Sequence, residues 1–183
     1  MKLSILCRFS VIGLAVAFLA GCSSSKPTLC PGAAALVDAS QMTVFREGMA
    51  ADPSTALYTI SIVKVSSNCD LTLARNKKTD VSSNTAMSVS FRATRAPNGI
   101  DARYSVPYFV AVTAGGKVLS KKEYAANFGF APGQAVANFS VDIDSTKITV
   151  GKGMHSYNYQ IFVGLQLTKT QLEYNKTIGR YGA

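Results

Sequence analysis

The sequence predicts an all-β fold, because apolar and polar residues alternate in several segments that turn-forming residues separate. The clearest alternation runs from Thr85 to Arg95, where one face carries only apolar side chains: Met87, Val89, Phe91 and Ala93. Seven or eight such segments recur at spacings of 8 to 20 residues. Their number and spacing favour an antiparallel two-sheet sandwich of the immunoglobulin or fibronectin type, with a small β-barrel as the alternative.

The first half of the chain contains two predicted strands before the Thr85–Arg95 segment. One covers Leu57 to Val65 and ends at the turn-forming Ser66–Asn68, and the next covers Cys69 to Arg75. A basic turn is predicted over Asn76 to Asp80. Ala33 to Met42 is rich in alanine, so we expect a helical turn or a covering segment there.

The middle of the chain predicts a buried strand followed by a hairpin. Tyr104 to Thr113 is nearly all apolar, which is typical of a strand buried on both faces, and Pro107 is expected to mark the start of that strand or a bulge. Gly115–Gly116 is a two-residue hairpin signal. Lys117 to Tyr124 is the predicted return strand.

Two further strands and a short helix complete the prediction. Gln134 to Ile143 alternates, with Ala135, Ala137, Phe139, Val141 and Ile143 on one face, and Tyr159 to Leu167 alternates in the same way. Thr168 to Lys176 is predicted to form a final helical turn, with Thr168 or Thr170 as its cap.

The amino terminus has the features of a secretory signal. Lys2 and Arg8 precede an apolar stretch from Val11 to Leu19, and small residues then lead to a cysteine. The uncharged run from Phe9 to Ala20 is shorter than the ~20 apolar residues that a membrane-spanning helix needs. We therefore expect residues 1–21 to be removed.

Leu19-Ala20-Gly21-Cys22 resembles the bacterial lipobox. The resemblance implies that a diacylglycerol is attached to the Cys22 thiol, that the chain is cleaved before Cys22, and that the freed amine receives a fatty acyl chain such as palmitate. Several acyl chains together make such an anchor effectively permanent. An ordinary signal peptide with an incidental cysteine is the alternative. Ser23, in place of aspartate, fits sorting to the outer membrane, facing the periplasm.

Removal of the signal leaves 162 residues, enough for one domain with its own core. We expect residues 22–29 to be the lipidated cysteine and a flexible tether, and residues 30–183 to be a single β-sandwich domain. Because Cys7 leaves with the signal and Cys22 carries lipid, Cys30 and Cys69 remain to form a disulfide in an oxidising periplasm. The bond would tie the start of the domain to the end of its first long strand.

The chain carries a formal net charge of +9, of which the signal holds two positive charges. In the envelope, such a field attracts anionic lipids, lipopolysaccharide phosphates and acidic glycans, and no nucleic-acid partner is expected. Lys117, Lys121 and Lys122 lie on a predicted edge hairpin and are candidates for binding an anionic ligand or a partner. Lysine on an edge strand also discourages aggregation, which is the structural alternative.

No catalytic, cofactor or metal site is predicted. His155 is the single histidine, no G-x-S-x-G motif occurs, and the Gly115–Lys117 and Gly151–Gly153 segments lack the spacing of a phosphate loop. Asp142 and Asp144 share a strand face about 7 Å apart, so a calcium site or a carboxylate pair is one interpretation and a polar strand end is the other. Four tyrosines are either a glycan-binding surface or core and rim residues: Tyr104, Tyr108, Tyr157 and Tyr159.

The strand from Tyr108 to Val112, the Gly-Gly turn with Lys117 to Lys121, and the upstream Cys30-Pro31 and Cys69 resemble small envelope lipoproteins of alphaproteobacteria, a family with no assigned activity. The resemblance covers nearly all of the mature part. It implies a bacterial class and a location and supplies no catalytic residues.

We therefore expect a lipid-anchored, periplasm-facing envelope lipoprotein that acts as a non-catalytic binding or structural module for a protein partner or an anionic envelope component. The alternatives are a glycan-acting hydrolase that uses paired carboxylates, and an accessory subunit of an envelope assembly complex.

Overall fold

The computed structural model describes residues 30–73, 81–97 and 99–181. The predicted signal, Cys22, the tether and the Asn76–Asp80 turn lie outside these residues. The described strands are, in chain order, β1 (Gly32–Ala35), β2 (Gln41–Phe45), β3 (Ala56–Leu73), β4 (Val81–Thr94), β5 (Ala102–Ala114), β6 (Lys117–Phe130), β7 (Val136–Thr149) and β8 (Tyr159–Leu165). Helix α1 (Lys169–Tyr181) follows β8, and short 3-10 helices cover Val37–Ala39, Pro53–Thr55 and Ser156–Asn158.

The eight strands form two four-stranded sheets, which confirms the predicted all-β sandwich. Sheet I has the order β1-β8-β5-β6 and sheet II has the order β2-β3-β4-β7. Every pair is antiparallel except β1 with β8. The strands thus make two separate sheets rather than the single closed sheet of the alternative. Within sheet II, β2, β3 and β4 are consecutive neighbours, whereas immunoglobulin constant domains place their third strand in the opposite sheet.

The core lies between the two sheets and is built from the alternating apolar residues of the strands. Phe91 on β4 is fully buried, and its ring centroid lies 5.7 Å from that of Tyr108 on β5. Phe128 on β6 stacks at 5.0 Å on Phe139 of β7. These contacts join the sheets, and burial of a side chain such as Phe91 contributes about 1.5–3 kcal/mol. Burial also raises the pKa of the Tyr58 phenol to about 12.

The predicted turn at Ser66–Asn68 is wrong, because β3 continues through these residues. They pair with Ala86, Met87 and Ser88 of β4, so the ladder with β4 overrides the local preference of serine and asparagine for turns. The predicted second strand from Cys69 is therefore the end of β3. A register shift between Ile62 and Lys64 lies within the same strand.

The prediction for Pro107 is also wrong, since it lies inside β5 and the register shift of that strand occurs between Val112 and Thr113. The pairing of β5 with β8 begins only at Tyr108. Pro107 therefore needs no N–H for that ladder, and its carbonyl accepts a hydrogen bond of 2.9 Å from the Gln166 N–H. Tyr108 and residues 110–112 are buried as predicted, but Phe109 is only half-buried, and Arg103, Ser105 and Pro107 are exposed.

Other local predictions are confirmed. Gly115 and Gly116 have φ values of +56° and +76°, the left-handed conformation that a tight two-residue hairpin requires of both positions. Helix α1 is longer than predicted and begins after Thr168, whose hydroxyl oxygen accepts a hydrogen bond from the Gln171 N–H. The alanine-rich segment forms β1, one 3-10 turn at Val37–Ala39, and the start of β2.

Cys30 and Cys69 form the predicted disulfide, with a Cα–Cα distance of 5.8 Å. Cys30 directly precedes the β1 segment of sheet I, and Cys69 lies in β3 of sheet II. The bond therefore links the two sheets at the point where the domain begins.

Candidate binding surface

Strand β6 is an edge of sheet I, because β5 is its only neighbour; the opposite edge is the four-residue β1, which pairs only with β8. Its first seven residues, 117–123, are all exposed, while alternate residues of its second half are buried in the core. We call this exposed half, residues 117–125, the β6 edge. It contains the three lysines that the sequence singled out.

The backbone of the β6 edge directs hydrogen-bonding groups away from the sheet. The Pro107 carbonyl points toward β8, where it accepts a hydrogen bond from the Gln166 N–H. Ala125 is the residue of β6 that pairs with Pro107, so the backbone N–H and C=O of Ala125 point away from β5. The same alternation applies to Glu123 and Lys121. These three residues present N–H and C=O groups that have no strand beside them.

The lysines of the β6 edge lie on different faces of the sheet. Lys121 pairs with Ala111, whereas Lys122 pairs with the core residue Val110 and so faces the opposite side. The Lys121 ammonium donates to Gln166 at 2.7 Å and to Glu123 at 3.2 Å. The Lys122 ammonium lies 5.1 Å from the centre of the Tyr124 ring. The three lysines therefore line one edge but do not converge on a single anion.

Lys121 also lies over an aromatic ring. Its ammonium is 4.6 Å from the centre of the Phe109 ring, on the outer face of sheet I. The Phe109 ring can occupy this position because residue 164 is a glycine. A Cβ at position 164 would lie 2.6 Å from the Phe109 ring. Within the described residues, neither Lys117 nor Lys122 has an ion-pair partner. Lys117 and Lys122 are thus the less restrained charges of the β6 edge.

The edge of sheet II at β2 is covered, in contrast to the β6 edge. Helix α1 packs along β2, where the Gln171 amide donates to the Thr43 carbonyl at 3.2 Å and the Asn175 amide donates to the Gln41 carbonyl at 2.6 Å. The Tyr174 ring meets the Phe45 ring edge-on, with centroids 4.9 Å apart. Side-chain amides therefore satisfy carbonyls that an added strand would otherwise use.

This role of α1 was not predicted from the sequence. Gln171 and Asn175 are four residues apart, and this spacing places two side chains on the same face of a helix. That spacing is the one signal that pointed to a polar contact. The carbonyl oxygen of the Asn175 side chain is buried without a hydrogen-bond partner among the described residues.

The predicted carboxylate pair lies on an open sheet face. Asp142 and Asp144 are exposed on β7, and Asp142 pairs with Ser88. Together with Ser66 and Asn68 they line a shallow depression of about 410 Å³. Both residues lie inside β7, which continues to Thr149, so the predicted strand end at Asp144 is wrong, although the carboxylates do lie on a polar, exposed sheet face.

His155 and the four tyrosines do not form one aromatic surface. Tyr108 and Tyr159 are buried, and Tyr104 packs on Tyr58 with ring centroids 4.5 Å apart. Burial raises the pKa of Tyr108, and the adjacent Tyr124 adds to the effect. Tyr157 is half exposed and stacks on the His155 ring at 4.9 Å. In the part of the chain that the structure describes, no three His, Cys, Asp or Glu residues are grouped as metal ligands would be.

Comparison with protein-family models, with curated proteins and with solved structures found no match to this chain. Across residues 30–73, 81–97 and 99–181, no helix has both the length and the apolar character needed to cross a membrane.

Proposed function

We propose that the mature protein is a lipid-anchored module of the bacterial envelope, without a catalytic role, that binds an extended segment of a partner protein along the β6 edge. One observation carries the proposal: the backbone groups of Lys121, Glu123 and Ala125 are open, whereas α1 seals the β2 edge. Strand addition uses such open backbone groups for affinity and the flanking side chains for specificity. The partner strand would extend sheet I.

The charges of the β6 edge indicate what the partner segment carries. Three lysines and a single glutamate, Glu123, give this stretch a net positive charge. Opposite charges on directly paired strands stabilise the pairing, and like charges oppose it. An extended segment with acidic side chains is therefore the preferred occupant.

The anchor rests on the lipobox resemblance of Leu19–Cys22, and it would place the domain at the outer membrane, facing the periplasm. The Cys30–Cys69 disulfide is consistent with an oxidising compartment. The mass of the protein isolated from the envelope tests the anchor directly. We expect a chain that begins at Cys22 and carries acyl groups, and a chain that retains Met1 would overturn this part of the proposal.

A pair of variants at Ala125 tests strand addition. Ala125→Pro removes the outward N–H without removing a hydrogen bond to β5, whereas Ala125→Ser keeps that N–H and is the matched control. A photo-crosslinking residue at Val118, which is 66% exposed, reports a bound partner in intact cells. We expect a crosslinked adduct that Ala125→Pro reduces about tenfold, since losing a hydrogen bond and admitting a steric clash costs on the order of 1.4 kcal/mol or more.

The same crosslinker at Val63, which is 56% exposed on β3, is the positional control. The midpoint of urea unfolding shows whether each purified variant is folded. Equal adducts from the Ala125→Pro and Ala125→Ser proteins, or an adduct only at Val63, would contradict binding along the β6 edge.

A further inference from the structure

The strand register places the start of the domain and the β5–β6 turn at the same end of the sandwich. Across sheet I, one row of paired residues runs from Gly32 to Gln160, then to Thr113, and then to Val118. The corresponding row of sheet II runs from Cys69 to Thr85 and Thr146. We call the described residues that lie within one residue of these rows or beyond them, on the side of the Cys30–Cys69 bond, the disulfide end.

The chain enters the domain at the disulfide end, and the segment before it is short. Seven residues lie between Cys22 and Cys30, so the eight Cα–Cα steps that join them cannot span more than ~29 Å even in a fully extended chain. Strand β6 has 14 residues and is about 46 Å long at ~3.3 Å per residue. If the opposite end of the sandwich lay on the membrane, Cys30 would be farther from the bilayer than this segment reaches. A lipid at Cys22 therefore excludes an orientation with the opposite end on the bilayer and keeps the disulfide end within the reach of this segment.

The two ends of the sandwich also differ in charge. Lys117, Lys147 and Lys152 are exposed at the disulfide end, where Asp70 is the only acidic residue among those described. At the opposite end, residues 46–55, 95–103 and 131–135 carry three acidic and three basic residues: Arg46, Glu47, Asp52, Arg95, Asp101 and Arg103. The end that the tether holds near the membrane is thus the basic one.

Exposed apolar side chains accompany these lysines. Leu119 is 56% exposed beside the β5–β6 turn, and Tyr157 is 51% exposed in the loop between β7 and β8. Met154, in the same loop, is also exposed. Tyrosine and aliphatic side chains next to lysines suit the boundary between headgroups and acyl chains.

From these observations we infer that the disulfide end docks on the surface of an anionic phospholipid bilayer, with Lys117, Lys147 and Lys152 facing the headgroup phosphates and Leu119 and Tyr157 at the interface. This inference rests on the proposed lipid anchor. It assigns an orientation to the domain: the membrane faces the disulfide end, and the part of the β6 edge beyond Leu119 runs away from the bilayer, open to a partner from the side.

A single introduced tryptophan measures this orientation, because the chain contains no tryptophan of its own. Leu119→Trp reports the disulfide end. Ile100→Trp is the matched control, since Ile100 is 80% exposed in the loop between β4 and β5 at the opposite end. Each acylated protein is isolated from the envelope and reconstituted into vesicles that contain lipids with brominated acyl chains. One set of vesicles is phosphatidylcholine alone, and the other contains phosphatidylcholine and phosphatidylglycerol in equal parts.

In the anionic vesicles we expect bromolipid quenching at position 119 at least about twice that at position 100, and we expect ~1 M salt to reduce the difference by screening the lysines. Replacing Lys147 and Lys152 with glutamine should lower quenching at position 119. The same number of charges removed by Lys64→Gln and Lys169→Gln, away from this end, should leave it unchanged.

The possible failures are distinguishable. If the protein floats with the vesicles but position 119 is quenched no more than position 100, the docking inference is overturned while the anchor stands. Quenching at position 119 that is equal in neutral and anionic vesicles, and equal after the Lys147 and Lys152 changes, overturns recognition of anionic lipid. A protein that lacks acyl groups and does not float overturns both the anchor and the inference.

Discussion

Two of the four edge strands of the sandwich, β2 and β6, are protected in different ways. At β2, helix α1 supplies amides from Gln171 and Asn175 to strand carbonyls, so an incoming strand would first have to displace the helix. At the β6 edge the backbone stays open, and lysines are the main obstacle to pairing. A charge barrier repels a second copy of the same edge but attracts an acidic segment. Helix α1 thus covers the β2 edge against any added strand, whereas the lysines of the β6 edge would favour an acidic strand over a basic one.

Loss of the disulfide is expected to have the largest effect on the free energy of unfolding. Replacing Cys30 and Cys69 together with alanine should lower the free energy of unfolding by about 4 kcal/mol, because the cross-link closes a loop of about 40 residues and restricts the unfolded chain. Urea unfolding measures the loss. The wild-type protein treated with reductant should show the same midpoint as the double variant. A loss below about 1 kcal/mol would show that the bond contributes little and that the fold is held by its packing.

Removal of the α1 side-chain amides is expected to have the next largest effect on the free energy of unfolding. Gln171→Ala with Asn175→Ala removes two hydrogen bonds to β2 and the two that the Thr168 N–H and hydroxyl donate to the Gln171 Oε1. At about 1 kcal/mol for each bond to β2 and about 1 kcal/mol for the two exposed bonds together, less up to about 1 kcal/mol returned by the better helix propensity of alanine, the expected loss is about 2 kcal/mol. Thr170→Ala changes an exposed residue of the same helix and is the control. It should leave the free energy of unfolding nearly unchanged.

Hydrogen exchange should locate that loss. In the Gln171 and Asn175 double variant, faster exchange of the β2 amides than of the β5 amides would confirm that α1 protects this edge. Uniform acceleration across both sheets would instead mean that α1 stabilises the fold as a whole and does not guard β2 in particular.

The alternation of the strands made the fold predictable, whereas the state of each edge depended on tertiary contacts. Met87, Val89 and Phe91 alternate cleanly, and the Gly115–Gly116 pair permits few structures other than a hairpin. The local signals failed at Ser66–Asn68 and at Pro107, because a neighbouring strand determines whether a turn-forming residue turns and whether a missing N–H matters.

The candidate surface was predicted only in part. The sequence placed the lysines on an edge hairpin, and that placement is confirmed. It did not reveal that Lys121 and Lys122 face opposite sides, since the register with β5 fixes the faces. Nor did it reveal that α1 covers β2, because Gln171 and Thr43 are 128 residues apart in the chain. Contacts between distant segments leave little trace in local patterns.

Replacement of the lysines of the β6 edge is expected to have the smallest effect on stability and the clearest effect on self-association. Replacing Lys117, Lys121 and Lys122 with glutamine should lower the free energy of unfolding by no more than about 1 kcal/mol, because exposed ion pairs and cation–π contacts contribute little. The open backbone groups then lose the charges that keep two copies apart. Sedimentation velocity should show a dimer or larger species that grows with concentration, and the Ala125→Pro change added to the triple variant should suppress it.

The control for this prediction removes the same number of lysines elsewhere. Lys64→Gln, Lys152→Gln and Lys169→Gln give the same change in net charge, but none of them lies on the β6 edge, so the protein should remain at its original size. If both triple variants associate equally, lower net charge alone drives the association and the lysines have no special role at the edge. If only the β6 variant associates and proline reverses it, the open backbone of β6 is the surface that pairs, and its lysines determine which strands are admitted.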